Sequence, residues 1–338
     1  MAAIIEIKNL TKWYAPRSIG GRLAVDDLNL SVESGEIFGF VGPNGAGKTS
    51  TIRMMATLLQ PSGGDVLIAG CSIRKDPDGV RRAIGYMPDF FGLYNNMKVW
   101  EYLDFFAACY HIPEAARRAL IDDLLELVDL SHRREDMVDK LSRGMMQRLS
   151  LARTLVHDPQ VLILDEPASG LDPRARVEIR DLLVELARLG KTIFFSTHIL
   201  ADVAEISSRV GILEAGKLVA IGELDALQQQ LMPNRKVEIT LLSSPEQAAA
   251  LLEKLPQVSA VQVQPGQQNG NGLHTEAEEQ PGSNHHRSRM EFEFGGDDEA
   301  LSRILAELVQ AGVTVVSFSA GSRDLEAVFL RATKGMVT

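Results

Sequence analysis

The pattern of apolar and polar positions changes twice along the chain. Through residues 1–230, runs such as "IIEIKNL", "EIFGFVG", "DVLIAG", "VLILDEP", "TIFFSTH" and "RVGILEAGKLVAIG" alternate with helix-like stretches. Short β-branched and aromatic runs alternating with helices predict an α/β fold on a mostly parallel sheet. From about residue 92 to residue 157 the strand signal disappears. There "VWEYLDFFAACY", "EAARRALIDDLLELVDL" and "MMQRLSLARTLV" repeat apolar residues at helical spacing, which predicts a helical subdomain inserted in the α/β core.

Beyond residue 234 the order becomes "KVEITLL" (strand), "SPEQAAALLEKL" (helix), "SAVQVQP" (strand), "RMEFEF" (strand), "DDEALSRILAELVQAG" (helix) and "VTVVSFSAG" (strand). This β-α-β-β-α-β order is that of a ferredoxin-like split unit, so residues 235–338 are read as a small α+β domain. "RDLEAVFLRATKG" reads as a closing helix. Residues 266–286, rich in Gly, Gln, Asn and Glu, have almost no large apolar side chains to bury and are read as a disordered loop. The pair His285 and His286 within it is assigned no site.

Size and composition narrow the function. The 338 residues, 45% of them hydrophobic, suffice for one large domain and one small one. No apolar run approaches the ~20 residues that cross a bilayer, and the N-terminal "MAAIIEIKNLTKWY" alternates like a strand instead of showing a signal-peptide pattern. Cys71 and Cys109 stand far apart without metal-ligand spacing, which fits free thiols in a reducing cytosol. The net charge of -10 argues against the basic footprint of a nucleic-acid binder.

Two stretches carry chemistry. "GPNGAGKTS" fits G-x-x-x-x-G-K-[ST] and lies between the strand "EIFGFV" and the helix "KTSTIRMMATLL". Gly42, Pro43, Asn44, Gly45, Ala46, Gly47, Lys48, Thr49 and Ser50 thus form a phosphate cradle. Its glycines turn backbone N–H groups toward one anion, and the helix N-terminus adds its positive end. Lys48, read as a surface donor, reaches the β- and γ-phosphates, and the Thr49 hydroxyl ligates Mg²⁺. "VLILDEP" then sets Asp165 and Glu166 at the end of a buried strand, where a carboxylate is costly unless it holds a cation or a proton in transit. Asp165 is expected to orient Mg²⁺ through water, and Glu166 to polarise an attacking water.

The glycine loop, "LSRGM", "VLILDEP", "SGLDP" and "FFSTHIL", in this order and spacing, closely resemble the nucleotide-binding subunit of ATP-binding cassette (ABC) transporters over about residues 4–225. "LSxG" just ahead of the "VLILDEP" strand is not shared by other P-loop classes. The resemblance implies an α/β P-loop NTPase cassette that binds and hydrolyses ATP with Mg²⁺. It also implies a head-to-tail dimer of two copies, in which Ser142 and Gly144 of one read the γ-phosphate of the ATP held by the other. Such a turn at a helix mouth offers a hydroxyl and free backbone donors to an anion. A Ser helix cap uses the same donors.

Further positions follow from the same resemblance. Tyr14 matches the aromatic that stacks on adenine, with Trp13 its neighbouring alternative. Asp172 matches the loop that crosses the dimer interface. His198 matches the switch histidine that contacts the γ-phosphate and helps to place the water. Asp89, in "IGYMPDF", stands where most cassettes have a Gln that senses Mg²⁺ and the attacking water. An acid there can still bind the cation, but its charge also opposes the γ-phosphate. Arg143 and Met145 replace the Gly and Gln of the commonest "LSGGQ".

One cassette, no membrane span and a ferredoxin-like tail resemble the ATPase subunits of ABC-2 type exporters, the daunorubicin-resistance-like group. That implies a separate integral-membrane permease and a cytoplasmic chain held at the inner face of the membrane. Phe90, Phe91, Leu93 and Tyr94 form an apolar cluster beside Asp89, as a docking groove for the permease needs. The contrasting expectation is a soluble cassette ATPase acting on ribosomes or DNA. Those typically fuse two cassettes or insert coiled coils or zinc modules, none of which is visible. A GTPase or nucleotide kinase would leave the "LSRGM" turn unexplained, and the guanine-reading "NKxD" is missing.

Overall fold

The computed structural model describes residues 3–15, 20–90, 92, 96–224, 226–227, 234–242, 245–264 and 287–320. They fall into two compact units, one within Met1–Leu227 and one within Gln228–Val328. The expected loop at residues 266–286 and the closing helix after residue 322 lie outside the described residues.

The first unit holds two sheets. A six-stranded sheet has the order β10 (Lys217–Glu223), β9 (Arg209–Glu214), β3 (Ile37–Val41), β8 (Thr192–Thr197), β7 (Val161–Asp165) and β6 (Ile84–Met87). From β9 to β6 every neighbour pair is parallel. Every residue of β3, β7 and β8 is buried, so these strands read as unbroken apolar runs, as expected of strands covered on both faces. Phe38 and Phe40 pack on Phe194, with ring centroids 5.4 and 5.2 Å apart.

The second sheet was not separated from the first by the sequence pattern. It is antiparallel, with the order β2 (Arg22–Glu33), β1 (Ala3–Tyr14), β4 (Gly63–Ile68) and β5 (Cys71–Ser72). Strand β2 alternates polar and apolar residues, "RLAVDDLNLSVE", with acids breaking the apolar run. Its pattern is therefore weaker than that of the buried strands. Ile5, Ile7, Val25, Leu28 and Val66 from this sheet share a core with Phe38, Phe40 and Ile163 of the parallel sheet.

Between β6 and β7 lie α3 (Val99–Cys109), α4 (Glu114–Leu127) and α5 (Arg143–Leu155). The same unit holds α1 (Lys48–Met55), α2 (Pro77–Ala83), α6 (Pro173–Arg188) and α7 (Leu200–Ile206). Among the described residues, no helix is long and apolar enough to cross a membrane.

In the second unit, β11 (Arg235–Leu241), α8 (Pro245–Leu252), β12 (Val258–Gln264), β13 (Ser288–Phe294), α9 (Asp298–Gln310) and β14 (Val315–Ala320) follow the β-α-β-β-α-β order. The sheet order β12-β13-β11-β14, antiparallel throughout, is ferredoxin-like. Val237, Ile239, Met290 and Phe292 alternate toward the helices and pack with Ala248, Leu252, Ile304 and Leu308. Charged residues on the strands alternate with them, and Lys236 pairs with Glu291 at 2.6 Å.

Candidate functional site

The loop Gly42–Gly47 joins β3 to α1, and Gly47 makes its last turn possible. Its φ is +109°, and a Cβ there would run into the Ala24 carbonyl oxygen, so only glycine fits. The result is a cleft of about 420 Å³ lined by Pro43, Asn44, Gly45, Gly47, Lys48, Thr49 and Ser50 from the loop, and by Tyr14, Arg22, Asp89, Glu166, Ser169 and His198 from elsewhere. Gly42 and Ala46, also expected in the cradle, lie behind this surface. Ala46 is buried, and the Gly42 carbonyl accepts a bond from Lys48.

Lys48 is not the surface donor that the sequence suggested. Its side chain is 7% exposed, and Nζ donates to the carbonyls of Gly42 at 2.7 Å and Pro43 at 3.4 Å. A Glu166 carboxylate oxygen lies 3.5 Å away. The ammonium is thus satisfied by the loop that it serves, because a buried charge needs partners.

Strands β7 and β8 set the acidic end of the cleft. They pair in parallel with Asp165 opposite Ser196, and the Ser196 hydroxyl donates to Asp165 Oδ1 at 2.6 Å. Thr49 Oγ1 lies 3.3 Å from the same oxygen. Burial pushes the Asp165 carboxyl above its ordinary range, and the Ser196 and Thr49 hydroxyls act against that shift. Glu166, one residue on, takes a left-handed φ of +52°, uncommon for a non-glycine residue. Its N–H is held by the Ser196 carbonyl at 3.1 Å, and its Oε2 lies 2.7 Å from Nδ1 of His198. Lys48, Glu166 and His198 therefore meet although they come from three separate segments.

At the cleft mouth the Tyr14 hydroxyl lies 3.1 Å from Ser50 Oγ, with the ring 43% exposed. Trp13 does not line the cleft. Arg22, Ala24 and Ser169 also line the cleft, although the motifs single out none of them. Arg22 donates to the Gly45 carbonyl at 3.2 Å, but it sits at the start of β2, in no motif. Ser169 lies within "EPASGLDP", between Glu166 and Asp172, the two residues of that stretch that the motifs identify.

Ser142, Gly144 and Asp172 lie apart from this cleft. They line a second concavity of about 390 Å³ with Arg143, Gly170 and Arg174. Ser142 caps α5, its hydroxyl accepting from the Met145 N–H at 3.3 Å. Asp172 caps α6, accepting from the N–H groups of Arg174 and Ala175 at 3.0 Å. Phe90, next to Asp89, is 83% exposed, whereas Phe91, Leu93 and Tyr94 lie outside the described residues.

The family profile described as "ABC transporter" matches residues 25–169. Over 255 residues the chain is 40% identical to the bacitracin transport ATP-binding protein BcrA of Bacillus licheniformis, an alignment covering 75% of this chain and 80% of BcrA. This chain belongs to the ABC transporter ATP-binding proteins. The ABC transporter ATP-binding protein YhcH of Bacillus subtilis (strain 168) is likewise 40% identical over 255 residues, with the same coverage of 75% and 80%. Among solved structures, the dimeric ATP-binding cassette MJ0796, in a post-hydrolysis state with ADP and Pi, is 26% identical with a TM-score of 0.60. That match covers 65% of this chain and 98% of the MJ0796 chain. The P-loop NTPase cassette expected from the motifs is thus the fold of this ABC ATPase subunit, which binds and hydrolyses ATP in a transporter.

Proposed function

We propose that this ABC ATPase subunit drives export through a separate integral-membrane permease of the ABC-2 type, and that it works as a head-to-tail dimer. The observation behind the dimer is the division of site residues within one chain. Lys48, Thr49, Glu166 and His198 line one concavity, and Ser142, Gly144 and Asp172 line another. Two copies placed head to tail bring each ATP against the other copy's Ser142 turn. There the Ser142 hydroxyl and the first N–H groups of α5 meet the γ-phosphate.

In this reading the phosphates lie along the loop from Gly42 to Ser50, met by N–H groups at the start of α1 and by the Lys48 ammonium. Tyr14 stacks on the adenine. Glu166 accepts the proton of the attacking water, and His198, fixed by its contact with Glu166, orients that water and the γ-phosphate. The Thr49 hydroxyl and the Asp165 carboxylate converge as hard oxygen donors, a set that suits Mg²⁺, and Asp89 faces the same cleft. Bound there, the ion neutralises phosphate charge; Thr49, Asp165 and Asp89 are the residues that would hold it.

A role in transport is supported by the likeness to BcrA, named for bacitracin transport, and the export direction by the ferredoxin-like unit that follows the cassette, as in the ABC-2 exporters that the chain resembles. In this reading the permease docks over Phe90, a residue 83% exposed next to Asp89 of the cleft. The chain then sits in the cytoplasm at the inner face of the membrane, bound to the permease rather than to nucleic acid. Co-expression tests this. With a six-span permease from a neighbouring gene, the chain should pellet with membranes. Phe90→Glu should release it while leaving ATP affinity in solution unchanged. Pelleting that ignores the permease, or a chain found on ribosomes, would favour a soluble cassette ATPase instead.

A further inference from the structure

The loop that leaves Glu166 is fastened to helix α5 at two points. Gln147, 1% exposed, donates from Nε2 to the Pro167 carbonyl, and Arg143 Nη2 donates to the Ser169 carbonyl at 3.3 Å. The guanidinium also covers Gly170, whose φ is +67° and where an added Cβ would collide with it. Between the two tethers the loop folds back on itself, the Ser169 N–H donating to the Glu166 carbonyl at 3.1 Å. Ser169 lines the chain's own nucleotide cleft, while Arg143 and Gly170 line the concavity that holds Ser142. Arg143 is also the residue that departs from the commonest "LSGGQ". A glycine at that position has no side chain with which to reach Ser169.

We propose that Arg143 is a positioning residue that couples the two nucleotide sites of the dimer. It ties the Ser142 turn, which reads the partner's ATP, to the Glu166–Asp172 loop that shapes the site of its own chain. When the partner's phosphate settles on the Ser142 turn, the N-terminal end of α5 is fixed. Through Arg143 the Ser169 carbonyl and the left-handed Glu166 are fixed with it. Arg143 acts in this proposal through Ser169 and Glu166, not on ATP or the reacting atoms. Its effect falls on the turnover of its own chain's site, and the inference rests on the head-to-tail reading above.

Heterodimers purified through two different tags separate the possibilities. In each, Glu166→Gln silences one site, so only the other turns over. In the own-chain arrangement, Arg143→Ala is in the chain whose P-loop and Glu166 are active. In the opposite-chain arrangement, Arg143→Ala shares a chain with Glu166→Gln. Against a reference dimer carrying Glu166→Gln alone, we expect turnover about three- to tenfold lower in the own-chain arrangement and within about twofold of the reference in the opposite one. Arg143→Lys, which can still donate to one carbonyl, should recover most of the loss. In the full-length Arg143→Ala chain without nucleotide, amide exchange over residues 169–171 should quicken while the Met145 amide, capped by Ser142, stays as it was. Loss confined to the opposite-chain arrangement would mean that Arg143 reads the partner's phosphate. That result, equal loss in both arrangements, or unchanged exchange over residues 169–171 would overturn the tether. The same pair of dimers with Ser142→Arg in place of Arg143→Ala tests the underlying reading. Ser142→Arg must silence the opposite-chain arrangement, and silencing of its own chain's site would refute the head-to-tail dimer itself.

Discussion

Nδ1 of His198 lies 2.7 Å from Oε2 of Glu166, across 32 residues of sequence, and Glu166 Oε1 lies 3.5 Å from Lys48 Nζ. The carboxylate therefore stands between the group assigned to the phosphate and the group assigned to the water. His198→Ala removes the partner that fixes Glu166 but leaves the P-loop untouched. Turnover should fall about a hundredfold, with ATP affinity within a few-fold of wild type. Loss of affinity in step with loss of turnover would move His198 from the hydrolytic step to nucleotide binding.

Lys48 makes a different prediction because it is buried. Lys48→Ala removes the two bonds to the loop carbonyls and the nearby cation of Glu166. The hydrophobic core beneath, from Phe40 to Ile52, is unchanged. Affinity for ATP should fall about ten- to a hundredfold, as expected for a lost charge-assisted contact, while the circular dichroism spectrum is retained. Nucleotide affinity equal to wild type would contradict the assignment of the phosphate cradle.

How much of this could be read from the chain depended on whether the signal was local. The cradle from Gly42 to Ser50 and the Asp165–Glu166 pair are contiguous, flanked by strands whose complete burial makes them plain apolar runs. The ferredoxin-like order was equally plain, since each strand alternates and each helix repeats its apolar face. Strand β2 was missed because Asp26, Asp27 and Asn29 interrupt it. Arg22 and Ser196 were missed because their roles exist only through pairing, Arg22 with Gly45 and Ser196 with Asp165. The exposure assigned to Lys48 was wrong for the same reason. A lysine beside glycines looks solvated until the carbonyls that receive it are in place.

His157 offers a test of the α/β core by pH. Its ring stacks on Tyr110 with centroids 3.9 Å apart, and Nε2 lies 2.9 Å from the Ile84 carbonyl oxygen. Burial holds its pKa below the ordinary histidine value, against the pull of the Ile84 bond and Asp158, while Lys191 adds to the depression. The unfolded chain therefore binds a proton at a higher pH than the folded one. The contribution of His157 to stability is complete above the ordinary value and declines as pH falls through it toward the depressed folded value. In thermal melts, the advantage of wild type over His157→Phe should shrink between pH 8 and about pH 5.5. An advantage that grew with acidity would mean that His157 is charged in the fold.

The separation of Ser142 from the Lys48 cleft yields the most specific prediction, because the proposed head-to-tail dimer completes each site with residues of both chains. Ser142→Arg and Lys48→Ala should each be inactive alone. Ser142→Arg puts bulk and charge where the proposed dimer places the partner's γ-phosphate, and Lys48→Ala weakens the cradle. Mixed, they form heterodimers in which the sound cradle of the Ser142→Arg chain meets the sound Ser142 turn of the Lys48→Ala chain. The opposite site carries both defects. With random pairing about half the dimers are mixed, each with one sound site, so independent sites would return up to roughly a quarter of wild-type ATPase activity. Coupling between sites, as argued for Arg143, lowers that fraction, so the decisive comparison is activity of the mixture against both parents, measured with the permease present. The alternative is a Ser142 that serves only its own chain, as the cap that receives the Met145 N–H at 3.3 Å. Ser142→Arg would then damage its own α5 and its own site, and mixing would restore nothing. Pull-down through one tag must first show that mixed dimers form. Once it does, recovery above both parents supports the shared site, and its absence returns Ser142 to the role of a helix cap.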